Sequence, residues 1–531
     1  MSAEGAALTL LDRAVAWFSP ATGVERLRAR RTMSALGGYK SARRDRRATK
    51  RWQPGGSSAD ADTLPDVPEL RARSRDLARN MPLATGALAT TVTHVVGLGL
   101  TPHAAVDREA LGLSEDQAAT WERSAEREFR TWAKRADLGE TLTFDAVQEL
   151  VLRSALESGD VLLVRRFRQR PGSRYGLRLQ IVEADRLSNP QHRGDSPELA
   201  GGVQLDGDGR PVAYHVATHH PGDRLSATHA WTALPADYAD GRPVCLHVVD
   251  RQRPGQTRGV PFLAPVIEAL KELENFTEAE LRAAVVSALF TVFIEHEQEV
   301  GSTIVDQMQE QPDGSGDLEL KAGAILDLGV GEKANVANPG RPNPQFDPFV
   351  MAVLRQIGVA LELPFELLIK HFTASYSASR AALEMAHLAF SRRRKWLVRT
   401  LCRPVWEMVI EEAVATGRLH APGFFEDPLA REAWLGCDWI GPSRISLDPL
   451  KDARADMIDM SSGAKTLQQV CSERTGGDWE RKTSQRAKEV RARSAAGLNE
   501  PTGGATDGSP AESPPAPAAR PETDEEDDDD A

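Results

Sequence analysis

The chain is poor in cysteine, in long apolar runs and in the short motifs that mark catalysis. Its 531 residues hold four cysteines, Cys245, Cys402, Cys437 and Cys471, no two of them at metal-ligand spacing. A disulfide mini-protein is excluded, and the four read as reduced, mostly buried thiols of a cytosolic chain. The longest apolar run without a charge, Ala283 to Ile294, is far shorter than the roughly 20 residues a membrane helix needs. The first apolar stretch carries Asp12 and Arg13, so no secretory signal is read there.

Catalytic motifs are missing as well. Gly463-Ala464-Lys465-Thr466 has a Lys-Thr pair without the glycine frame of a phosphate loop. His296-Glu297 lacks the second histidine of a zinc protease, and no G-x-S-x-G elbow occurs. Asp206-Gly207-Asp208-Gly209 begins like a calcium loop, but Arg210 stands at the third ligand position. A hairpin turn between GVQL and VAYHV is the better reading. His215, His219, His220, His229 and His247 share no face and read as surface and turn residues. No catalytic centre, metal site or cofactor is expected.

What is present is an ordinary soluble composition, 41% apolar and 27% charged, enough to build a large core. The net charge of −12 is unevenly spread. Residues 26–51 hold eleven bases and one acid, among them Arg43, Arg44, Arg46, Arg47, Lys50 and Arg51. Such an arm suits phosphate contact or an acidic partner surface. Glu522 to Asp530 holds eight acids and no base, in a Pro-, Gly-, Ala- and Ser-rich segment, 499–531, expected to be disordered.

Between these ends the patterning alternates. Helix is expected from Val67, interrupted at Asn80-Met81-Pro82, resuming at Leu83–Val96 and closed by Gly97 and Gly99. Ser114–Trp132 is amphipathic with a capping box at Ser114–Gln117, and Thr143–Glu157 is a further helix stopped by Gly159. Residues 161–250 read as short strands. A long helix from Phe262 to about Leu289 is acidic in its middle. Residues 290–345 are mixed strand, turn and loop, and helix resumes at Phe349–Leu361. From Ser377 to Ala415 an apolar stripe runs through Leu383, Phe390, Leu397 and Leu401, with a kink expected at Pro404. The stretch 445–498 is helical and highly charged.

Several blocks, in this order and spacing, resemble the portal proteins of lambda-like tailed phages and prophages. They are Trp17-Phe18-Ser19-Pro20, the arm with Tyr39, LRARSRDLARNMPLATGAL at 70–88, VVGLGLTP at 95–102 and EADRL at 183–187. RPGQTRGVPFLAPVIEALKELENF at 253–276, PNPQFDPFVMAVLRQIGVALELPFELL at 342–368, YSASRAALEMA at 376–386 and DWIGPSRISLDPLKDARAD at 438–456 complete the set. Met81 and Leu98 depart from the family pattern at positions without a catalytic role.

The resemblance implies a non-enzymatic, typically dodecameric ring at one vertex of a capsid, assembled in the bacterial host cytoplasm and retained in the virion. The terminase would package double-stranded DNA through it, and the head–tail connector and the capsid or scaffold proteins would dock on it. The implied fold is α+β and predominantly helical, with wing, stem, clip and crown. On this chain the arm takes 1–52, the wing 66–260, stem helices 261–289 and 346–363, the clip 290–345, a tunnel loop 364–380, wing and crown helices 381–498, and the acidic tail 499–531. Lys370, His371, Thr373, Ser375, Tyr376, Ser377 and Arg380 are the candidates for residues beside the moving DNA. A plain surface loop followed by a capped helix is the competing reading. The alternatives to a portal are a metal-dependent DNA-processing nuclease and another minor head or connector protein.

Overall fold

The computed structural model describes residues 54–223, 230–288, 345–372, 375–444, 448–475 and 479–498. It also describes Ser446, strand residues 292–296 and 332–336, and scattered positions between 15 and 52. Most of the expected clip, the acidic tail and most of the arm, including Arg43, Arg44 and Arg46, lie outside the described residues.

Proline and capping residues set the first helix boundaries. Pro82 has no N–H to continue a helix, so the run from Val67 divides into α1 (Val67–Asn80) and α2 (Pro82–Val95), with Met81 extended between them. After a turn at Gly97 and Gly99, Thr101–Ala104 forms β1, a strand the sequence pattern did not signal. Ser114 and Gln117 make the capping box of α3 (Glu115–Ala133), and Thr143 caps α4 (Phe144–Ser158).

The β-rich stretch folds as two small antiparallel sheets. β2 (Asp160–Phe167) lies between β3 (Leu177–Glu183) and β8 (Cys245–Val249). β4 (Leu199–Ala200), β5 (Val203–Leu205), β6 (Pro211–Ala217) and β7 (Trp231–Pro235) form a meander. The β5–β6 connection is the expected hairpin, its turn held by Asp206 Oδ1, which accepts the N–H groups of Asp208 and Arg210. The apolar run at the start of β2 is buried on both faces. Val161 and Leu163 point into the helical core, while Leu162 and Val164 point into the core beneath the second sheet.

The long helix begins after Pro261 and Pro265 have shaped a short 3₁₀ turn, so α5 spans Ile267–Ala288, later than the sequence pattern suggests. β9 (Val292–His296) pairs antiparallel with β10 (Glu332–Val336). α6 (Phe346–Ala360) and the short α7 (Phe365–Ile369) follow, then α8 (Tyr376–Leu397). Pro404 offers no N–H to the preceding turn. The chain accommodates it with a π-helical turn at Val398–Cys402 before α9 (Arg403–Ala415). β11 (Cys437–Ile440) pairs with β1, and α10 (Pro449–Ser461), α11 (Leu467–Thr475) and α12 (Trp479–Ala495) divide the charged segment.

Aromatics are only 6% of the chain, yet several gather at one point. The rings of Trp132, Phe144, Trp406 and Trp439 lie 5.4–5.9 Å from that of Phe129. This cluster ties α3, α4, α9 and β11 into one core.

A buried ion cluster joins the two sheets to α1 and α5. Asp160, 1% exposed, receives Arg258 Nε at 2.6 Å and Nη2 at 2.9 Å, and the Gly259 N–H at 3.1 Å. Arg258 gives its remaining protons to the carbonyls of Ala184, Leu187 and Gly201, so all five guanidinium donors are satisfied. Arg71 of α1 lies 3.6 Å from Asp160 and donates to the Ser158 carbonyl. The two backbone segments meet at Gly159 and Gly259. A Cβ on either would fall 2.0–2.4 Å from the other's carbonyl oxygen, and Gly159 also has φ +95°. His247 belongs to this cluster, with Nε2 3.2 Å from Asp160 Oδ2. The expectation that it is a surface or turn residue is wrong. It sits on the inner strand pairing of β8, where Asp160 supplies the polar partner that burial demands.

Burial alone would raise the Asp160 pKa, but the attraction and hydrogen bonds of Arg258 and His247 outweigh it and hold the carboxyl well below its usual range. A carboxyl so lowered adds stability above its unfolded value of about 3.9 and loses it as pH falls through the folded value. Asp160→Asn is therefore expected to cost about 3–5 kcal/mol at pH 7, because it strands buried arginines. The deficit should shrink below about pH 4. Urea denaturation at the two pH values measures it, and a deficit that is small at pH 7 or grows in acid contradicts the assignment.

Candidate functional site

The segment singled out at 364–380 is less of a loop than its composition suggests. Pro364 starts α7, whose Leu367 and Leu368 are buried, and Lys370 ends it in the left-handed conformation, φ +56°. The His371 N–H closes this end on the Glu366 carbonyl. Ser375 is the N-cap of α8, accepting from the Ala378 N–H, so residues 376–380 belong to the helix. Lys370, His371, Phe372 and Ser375 are non-helical, and Thr373 and Ala374 lie outside the described residues.

Lys370, His371, Ser375, Tyr376, Ser377 and Arg380 are all exposed. The structure does not gather them into one constellation. Lys370 and His371 follow α7, whereas Tyr376 and Arg380 face α10. Arg380 lies 3.6 Å from Asp452, and Arg444 reaches the same carboxylate at 3.6 Å and Glu384 at 3.4 Å. The Lys451 ammonium stands 5.7 Å from the Tyr376 ring centroid. Two of the sequence blocks, at 376–386 and 438–456, are thus held against each other by charge.

Behind this pairing lies a narrow cleft whose wall includes His94, His387 and Phe390. His94 stacks on Phe390 at 4.9 Å, and Arg394 donates to the carbonyls of His94 and Val95, closing the C-terminal end of α2 onto α8. Burial, with Arg394 nearby, pushes the His94 pKa down. The Arg394 end of α8 is therefore built to hold α2, while Tyr376 and Arg380 at its start face α10 and Ser379 between them is buried.

Of the arm candidates, Arg47, Lys50 and Arg51 are described, and all three are exposed. Among the described residues one group could offer three ligand atoms to a cation, Glu183, Asp185 and His220. Arg75 already stands 2.8 Å from Glu183 and 2.5 Å from Asp185, supplying the positive charge there. Sequence reading missed the Asp160–Arg258 cluster entirely. Its only signal was two short glycine-containing pieces, Gly159-Asp160 and Arg258-Gly259, a hundred residues apart.

The α5–α6 pair has a geometry of its own. Ile267, Leu270 and Leu273 anchor the first turns of α5 in the core, and Leu354 and Ile357 anchor the far half of α6. Residues 274–285 and 346–353 contain no buried side chain. The two helices leave the body together, braced by Phe276 against Phe346 and Phe349 at 5.6 and 5.1 Å.

A family model described as phage portal protein, lambda family, matches residues 45–394. Portal protein B of Escherichia phage lambda is 26% identical over 476 residues, covering 85% of this chain and 88% of that protein. The portal protein of Escherichia phage N15 is 26% identical over 477 residues, covering 85% of this chain and 89% of that one. A solved chain from the neck of a native GTA particle computed with C12 symmetry aligns with a TM-score of 0.41 at 14% identity, covering 76% of this chain and 92% of that one.

The Arg380–Asp452 pair is half-exposed, so its net contribution to stability is small. Arg380→Ala is expected to lower unfolding free energy by less than about 1 kcal/mol. Denaturant titration checks it, and a loss of several kcal/mol would show that Arg380 is a structural rather than a surface residue.

Proposed function

Because the chain belongs to the lambda family of phage portal proteins, which are structural rather than enzymatic, we propose that it works as a homo-oligomeric ring, typically dodecameric, at one vertex of the capsid. In this reading the terminase drives double-stranded DNA inward through the ring, the DNA later leaves by the same path, and the head–tail connector docks on the outside. The ring stays in the virion as its portal vertex. α5 and α6 serve as the stem, the β9–β10 segment as the clip, and the 364–380 segment approaches the DNA. The basic arm contacts neighbouring subunits or the capsid shell or scaffold.

The observation that carries the ring is the set of apolar side chains a single subunit leaves in water. Leu281 and Val285 of α5, Phe349 and Val359 of α6, and Met385 and Leu388 of α8 are all more than half exposed, Val359 by 81%. Several lie on the helices that project from the core, where no other described part of the chain can cover them. A different face of a neighbouring copy, meeting these side chains head to tail as cyclic symmetry requires, offers the apolar cover that solvent does not. The acids of α5 support the conduit role. Glu268, Glu272 and Glu278 are exposed, and carboxylates repel phosphate, so a duplex could slide past them without being held.

Negative-stain electron microscopy of the purified protein is expected to show rings with a central channel wide enough for duplex DNA. Leu281→Asp with Val359→Asp should abolish the rings and leave the helical circular-dichroism signal unchanged. Monomeric wild-type protein, or rings that persist in the double variant, would overturn this account of the exposed faces.

Deleting residues 371–377 should leave ring assembly intact and reduce DNA packaging at least tenfold in an in vitro packaging assay. Normal packaging by such rings would remove this segment from the channel.

A further inference from the structure

α12 is the most basic helix described, and it sits apart from the core. Its 17 residues include Arg481, Lys482, Arg486, Lys488, Arg491 and Arg493 against two acids, Glu480 and Glu489. None of its residues is buried. Among the described residues, no carboxylate comes within ion-pair distance of Arg481, Arg486, Lys488 or Arg491. Between α12 and α3 runs a cleft of about 1340 Å³, to which α3 and the residue after it add Arg123, Arg130 and Lys134. The cleft wall carries twice as many basic as acidic side chains, so its field attracts an anion.

The same chain carries an anion of matching size. Glu522 to Asp530 contributes eight carboxylates in nine residues, and extended it spans roughly 30 Å. α12 is roughly 26 Å long at 1.5 Å per residue. Residues 496–521, 26 in all, separate the two and are rich in Gly, Ser, Ala and Pro. By length alone, 26 residues correspond to a coil end-to-end distance of roughly 28 Å, comparable with the length of α12, so the run lies within reach of that helix.

We propose that the α12–α3 cleft is a docking surface for the acidic run Glu522–Asp530 of its own chain, which shields α12 from DNA phosphate. The inference does not depend on the ring. It requires only that carboxylates and phosphates compete for the same guanidinium and ammonium groups. Its consequence is a basic helix that stays unoccupied by nucleic acid until the acidic run is displaced or removed.

Two measurements on the full-length protein test it. Zero-length carbodiimide cross-linking with mass spectrometry is expected to join Lys482 or Lys488 to carboxylates of 522–530. Fluorescence anisotropy with a 30-base-pair duplex, over a range of salt concentrations, is expected to show that ending the chain at Leu498 raises affinity about tenfold near 0.1 M salt. The truncation should also steepen the dependence on log salt. In the background R481A/R486A/K488A/R491A, whose substitutions touch no buried residue, the same truncation should change affinity less than twofold. Cross-links from 522–530 to the 26–51 arm instead of α12 would overturn the proposal. So would an undiminished gain in the fourfold variant, or no gain on truncation in the wild-type background.

Discussion

Asp160 and Arg258 bring together parts of the chain that share no local sequence signal. The carboxylate sits where α4 ends and β2 begins, and the guanidinium sits just before the chain enters α5. Joining them places the root of α5 against the sheet, with the crossed glycines 159 and 259 permitting a backbone approach that any side chain would block. Arg258 then reaches past the carboxylate to three carbonyls of the connections that follow β3 and precede β5. Taking two charges out of water is costly unless every donor finds an acceptor. Here every donor of Arg258 does, so the cost is offset by geometry, and the direction in which α5 leaves the body is fixed.

That direction matters because α5 and α6 do most of the reaching. Their roots are packed among Ile267, Leu270, Leu273, Leu354 and Ile357, while residues 274–285 and 346–353 hold no buried side chain. A helix that projects from its own core is marginal in water unless its apolar residues are covered. The uncovered Leu281, Val285 and Phe349 are therefore intelligible as surfaces awaiting neighbours. A slight tilt at the clamp would be magnified along the 22 residues of α5, so a rigid joint at the root is what a symmetric assembly requires.

Helices with caps and apolar stripes were legible in the sequence: the Ser114 capping box, the break at Met81-Pro82, the Leu383–Phe390–Leu397 stripe and the β2 apolar run all stand where the pattern puts them. The strand pair β1–β11 was not, because four residues beside a Gly-rich turn give too short an alternation to register. The 364–380 segment looked like a loop because its polar residues hide a one-turn helix and an N-cap. His247 was misplaced, and the clamp was overlooked, for the same reason. A lone histidine, aspartate or arginine on a strand or loop announces nothing until folding brings its partner from about a hundred residues away. Residues 370–380 were legible as a polar stretch, and the pairing of Tyr376 and Arg380 with α10 needed the structure.

If the clamp orients α5, its loss must be felt along connected elements and not only locally. Native-state hydrogen exchange on Asp160→Asn, compared with the wild type, reports this amide by amide. A joint loss of protection is expected in α1, in β2 and β8, and in the first turns of α5, with α9 and the aromatic cluster around Phe129 little changed. Loss confined to the Gly159 and Gly259 turns, with the α5 root still fully protected, would contradict it.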